Sequence, residues 1–120
     1  AIGCRVFILQ ALEDPDWAAA ILRVWSRSSA LAERVAEPVL ADLRAGRQGG
    51  RFRYGSEAAA LDLVQGTVLA GMRTVVEARA GAEHAAASAC LVLRGLSVPV
   101  AEAEEIVRRP LPPRRNTPVF

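Results

Sequence analysis

Few side chains in this sequence could do chemistry, and their spacing limits what that chemistry would be. His84 is the only histidine. Cys4 and Cys90 stand far apart with no metal-ligand spacing around them, so a metal site has too few donors. They read as two free thiols of a reducing compartment. His84 and Cys90 are six positions apart, which places them on different faces of one helix and removes a nucleophile pair within it. Asp62 or Glu77 meeting His84 across a turn would make a salt bridge at helix ends. No glycine-rich phosphate loop follows a strand. The inventory argues against an enzyme, a metal site or a cofactor. Two clusters remain. Arg44, Arg47, Arg51 and Arg53 interleave with Phe52 and Tyr54, and guanidinium and aromatic planes both stack on RNA bases. Yet this is one short loop in a chain of net charge +2 without a basic helix. A solvated loop, anchored by Phe52 turned inward, fits it better. The second cluster is apolar. Phe7, Trp17, Trp25 and Met72 are bulky groups in a chain otherwise built from Ala and Val. With Ile21 and Val68 they mark a pocket between helices, or else they simply fill the core. Gln65, on the margin of the same helix face as Val68 and Met72, is the one polar handle there.

The elements that must position these residues are helices. The chain has 120 residues, enough for one core and too few for two. Apolar residues make up 52% and aromatics only 5%, and alanine is the commonest apolar type. All basic residues are arginine. No run alternates β-branched residues, so no strand is expected. Apolar spacing predicts helices over 2–13, 15–27, 30–46, 57–79 and 83–96, with a short last one ending near Arg109. Asp14, Ser28-Ser29 and Ser56 supply N-caps, and Pro15 suits a first helical turn. Pro38 removes the hydrogen bond to the Arg34 carbonyl and predicts a kink or restart. The longest apolar run, Ala85 to Leu93, is about half the length of a membrane span and closes at Arg94. No signal peptide is evident, so the expected place is the cytoplasm. Residues 1–109 thus read as one helical domain and 110–120 as an extended proline-rich tail. The chain opens at Ala1 inside apolar structure, which suggests a piece of a longer protein.

Two helices have more apolar surface than a small domain can cover. On helix 57–79, Asp62, Gly66, Arg73 and Glu77 share one narrow polar wedge. Leu61, Val64, Val68, Met72 and Val75 lie opposite, and a stripe of small residues (Ala60, Thr67, Gly71, Thr74 and Ala78) runs between them. Helix 83–96 carries no charge between His84 and Arg94. Both helices therefore want partners on several sides, and a second copy of the chain would supply them in a four-helix interface. The residues expected there are the small stripe of 57–79 and Ala85, Ala89, Val92 and Leu96 of 83–96.

The run Ala58-Ala-Ala-Leu-Asp-Leu-Val-Gln-Gly-Thr-Val-Leu-Ala-Gly-Met-Arg-Thr-Val-Val-Glu77 resembles the C-terminal domain of TetR-family (tetracycline-repressor-like) transcriptional regulators. Asp14-Pro-Asp-Trp17, Gly50-Arg-Phe-Arg53 and the ending from Val92 to Ile106 with Arg109-Pro-Leu-Pro-Pro113 are similar to segments of the same branch. The resemblance implies an all-α bundle of five to six helices that senses a small molecule and dimerises through its penultimate helix pair. In the family, ligand binding moves an N-terminal helix-turn-helix domain and changes operator affinity. No such segment precedes Ala1, so operator DNA is an expected partner only of the parent protein. The expected function is an effector-sensing homodimerisation domain of a repressor-type regulator. Its ligand, apolar or aromatic, would sit between helices 2–13, 15–27 and 57–79. The alternative is a helical dimerisation or adaptor module without a ligand.

Overall fold

The computed structural model describes residues 2–111. It contains six helices and, among the described residues, no strand: α1 (Ile2–Glu13), α2 (Pro15–Trp25), α3 (Ser29–Gln48), α4 (Glu57–Val76), α5 (Glu83–Gly95) and α6 (Val100–Arg108). The all-α expectation holds. Of the proline-rich tail, residues 112–120 lie outside the described residues.

Helix starts follow the capping chemistry in the sequence. Asp14 Oδ1 accepts the Trp17 N–H at 3.1 Å, and Pro15 occupies the first turn of α2. Ser28 Oγ accepts from the Leu31 N–H, and Ser56 Oγ from the Ala59 N–H. Each satisfies one of the donors a helix start leaves unpaired. α5 lacks a side-chain N-cap. Instead Glu83 folds back and accepts the Gly81 N–H at 2.9 Å, which holds its carboxyl below the usual carboxylate range. α3 runs unbroken through Pro38. Arg34 and Pro38 are both exposed, so water takes the place of the missing donor.

α4 is the hub. α1, α2, α3 and α5 all pack against it, and α1 crosses α5 as well. The crossing with α1 depends on a glycine. A Cβ at Gly71 would stand 2.5 Å from Ile8 Cδ1, so only a bare backbone lets Ile8 seat fully. Ile8 and Met72 are completely enclosed, with Cys4, Ala11, Val75, Ala85 and Ala89 around them. Burying a side chain such as Ile8 contributes about 1.5–3 kcal/mol. A second cluster, Leu43, Ala60, Val92 and Leu96, joins α3 to α4 and α5. The long arginine-rich loop is tied down rather than free. Phe52 lies directly over Gly46, the Phe52 N–H donates to the Gly46 carbonyl, and the Arg53 N–H donates to the Leu96 carbonyl. Ser97 Oγ donates to the Arg53 carbonyl at 3.1 Å and closes the link to the α5–α6 turn. α4 has the length and composition of a membrane span, but in this fold four other helices pack on it.

Candidate functional site

The helices enclose a cavity of about 150 Å³ between α1, α2, α3 and α4. α1 contributes Gly3, Cys4 and Phe7; α2 contributes Ile21 and Trp25. α4 adds Val64, Gln65, Val68, Leu69 and Met72. α3 supplies Val35, Val39, Asp42 and Leu43, while Phe52 from the loop and Val92 from α5 complete the wall. The walls are almost wholly apolar. A volume of this order holds a molecule the size of benzene.

Most residues expected to form a pocket meet here: Phe7, Ile21, Trp25, Gln65, Val68 and Met72 all line it. Trp17 does not. It stacks on the outer face of Phe7, with ring centroids 6.2 Å apart and planes inclined by 29°, and so holds the Phe7 ring from behind. Several lining residues went unrecognised in the sequence. Val35, Val39 and Asp42 lie at i, i+4 and i+7 on one stripe of α3, a spacing that was visible but equally suited to plain core packing. Phe52 was expected to turn inward, and the fold adds that it turns toward the cavity.

Two polar features mark the cavity. Gln65 Nε2 is buried with no hydrogen-bond partner. A buried donor left unpaired costs about 1–3 kcal/mol. Asp42 is exposed and stands at the rim. Cys4, in the wall, has its thiol pushed up by burial and stays protonated at neutral pH. Among the described residues, no group of three His, Cys, Asp or Glu side chains gathers to hold a metal ion. Tyr54 Oη is a second buried polar atom without a partner, but Tyr54 faces Arg47, whose guanidinium sits 5.1 Å from the ring centroid, and is not part of the cavity wall.

The residues expected at a dimer interface are placed differently. Ala60, Gly71, Ala85, Ala89, Val92 and Leu96 are buried inside the chain itself. Within the small-residue stripe of α4, Gly71 receives Ile8 of α1, while Ala60 packs with Leu43, Val92 and Leu96. Thr67 and Thr74 are half-buried and Ala78 is exposed. The row of α4 that faces outward instead carries Ala59, Gly66, Ala70 and Arg73, with Leu63 half-buried among them. α5 turns Ala87, Leu91 and Arg94 outward, and Leu91 is 61% exposed. The two rows adjoin, because Gly95 of α5 lies against Leu63 of α4.

No curated protein matches the chain, and no solved structure matches it. One protein family does, described as tetracyclin repressor-like, C-terminal domain, and the match extends over residues 1–109. It covers all six helices, the cavity and both outward rows. The chain belongs to the tetracyclin repressor-like C-terminal domain family.

Proposed function

We propose that this domain is the effector-sensing and homodimerising part of a TetR-family regulator, acting in the cytoplasm and repressing when unliganded. A small apolar or aromatic molecule occupies the cavity between α1, α2, α3 and α4. The observation that carries this reading is the cavity itself, an apolar space next to Trp25 and Met72 with one buried amide left unpartnered. A module built only for dimerisation would fill that space with its own side chains.

The route of the signal follows from α1. Gly3, Cys4 and Phe7 form part of the cavity wall, while Cys4, Ile8 and Ala11 are locked in the core against α4 and α5. A ligand that presses on Phe7 therefore bears on the whole helix, which is the first of the domain and the natural connection to a DNA-binding segment before it. Moving an even two-state equilibrium tenfold takes about 1.4 kcal/mol of differential affinity.

Filling the cavity tests the reading. Val68→Phe places a ring in the space, so titration with benzene or indole, followed by chemical-shift changes of the wall residues, should show saturable binding to the native chain. In the variant, affinity should fall at least tenfold while helicity is unchanged. Binding that survives the filled cavity, or no binding to the native chain, would remove the sensing role and leave the adaptor reading.

A further inference from the structure

We infer that the cavity selects a small aromatic amine, an organic cation whose ring lies among the wall aromatics and whose ammonium group meets Asp42 at the rim. This deepens the ligand-sensing reading and rests on it.

The charge of the lining carries the argument. Among the described residues, Asp42 is the only charged side chain in the cavity wall. No arginine of the described residues lines it. Among the described residues no cation is found paired with Asp42, whereas other acids are paired, as in Arg44–Glu57 and Arg109–Glu105. A carboxylate or phosphate ligand would lose its hydration beside a like charge with nothing to compensate. A neutral ligand would leave Asp42 as it is. An ammonium group gains a charge-assisted hydrogen bond there.

Placement supports the same ligand. Val35, Val39 and Asp42 share one stripe of α3, so the carboxylate extends the apolar wall toward solvent. Phe7, Trp25 and Phe52 place aromatic rings in the cavity wall, and an aromatic ring attracts a cation as well as another ring. The volume of about 150 Å³ suits one aromatic ring, with a short amine chain reaching the rim.

Three probes of one shape separate charge from shape: 2-phenylethylamine, 2-phenylethanol and phenylacetate, titrated calorimetrically into the full chain at pH 7 and low salt. The amine should bind about tenfold more tightly than the alcohol, the size of a partly exposed charge-assisted hydrogen bond, and the acid most weakly. Asp42→Asn should erase the advantage of the amine and leave the alcohol unaffected. Glu33→Gln, an exposed acid on the opposite face of α3, should change neither. If the native chain binds all three probes alike, or if Asp42→Asn keeps the order, the inference of a cation falls while the pocket reading stands. If no probe binds and benzene fails as well, both fall together.

Discussion

Single atoms decide much of this domain. Gln65 is the clearest case. Its amide stands at the edge of the core face of α4, and the fold encloses Nε2 without giving it an acceptor. Leu has nearly the same volume and no donor to leave unsatisfied. Gln65→Leu should therefore stabilise the unliganded domain by about 1 kcal/mol. That corresponds to a rise in Tm of roughly 4 °C for a domain of this size, read by thermal unfolding. A lower Tm would mean that Gln65 is already satisfied and is not waiting for a ligand. The amide and the aromatic groups were legible in the sequence because they are rare types in an alanine-rich chain. Asp42 was not. A single acid on a helix reads as solvent-facing, and only the packing of α3 on α4 places it at a cavity mouth.

At the level of elements, the helix ends repeat one motif with different residues. After α3, the Gly50 N–H donates to the Arg47 carbonyl and the Arg51 N–H to the Gly46 carbonyl. After α4, the Ala78 N–H donates to Val75 and the Arg79 N–H to Thr74; after α5, Ser97 donates to Arg94 and Val98 to Leu93. All three are Schellman ends, with the left-handed position held by Gly50, Ala78 and Ser97 at φ of 73°, 56° and 74°. Glycine takes this conformation freely, whereas a Cβ costs about 1 kcal/mol. The sequence reading carried helix 57–79 past this point because alanine looks helical; the backbone turns there and α4 ends at Val76. Ala78→Gly should raise stability by about 1 kcal/mol in urea unfolding, with an unchanged m-value. Ser97→Gly should gain less, since it also loses the hydrogen bond from Ser97 Oγ to the Arg53 carbonyl. A destabilised Ala78→Gly would show that the left-handed turn carries no strain.

For the whole molecule the open question is what covers α4 and α5. Leu91 is the most exposed large apolar side chain among the described residues, in a helix stretch without charge. Beside it run Gly66 and Ala70, small enough for a second helix to come close. A two-fold pairing of these rows is the proposed dimer, using the helix pair expected from the sequence but the faces left over once α1 has docked. Leu91→Asp should convert the dimer to a monomer in sedimentation experiments, with helicity retained, because the side chain is already in solvent within each subunit. Thr67→Asp, at a half-buried position of the same helix, should instead cost fold stability. If the native chain sediments as a monomer at high micromolar concentration, the pairing is excluded.

The sequence alone determined the helical class, the helix starts and the residue types around the cavity, because caps, proline and apolar period act over a few residues. It also singled out the two helices with surplus apolar surface. Which surplus face meets which neighbour was decided only in three dimensions. Gly71 and its small-residue stripe could serve a partner chain or α1 equally well by composition. The close seat of Ile8 gives Gly71 to α1, Ala60 packs with Leu43 and Val92, and Leu91 is left outward. The same packing brings Asp42, from one helix, to the mouth of a cavity walled mainly by others. Neither result follows from local periodicity, because a helix face records that it must be covered and not by what.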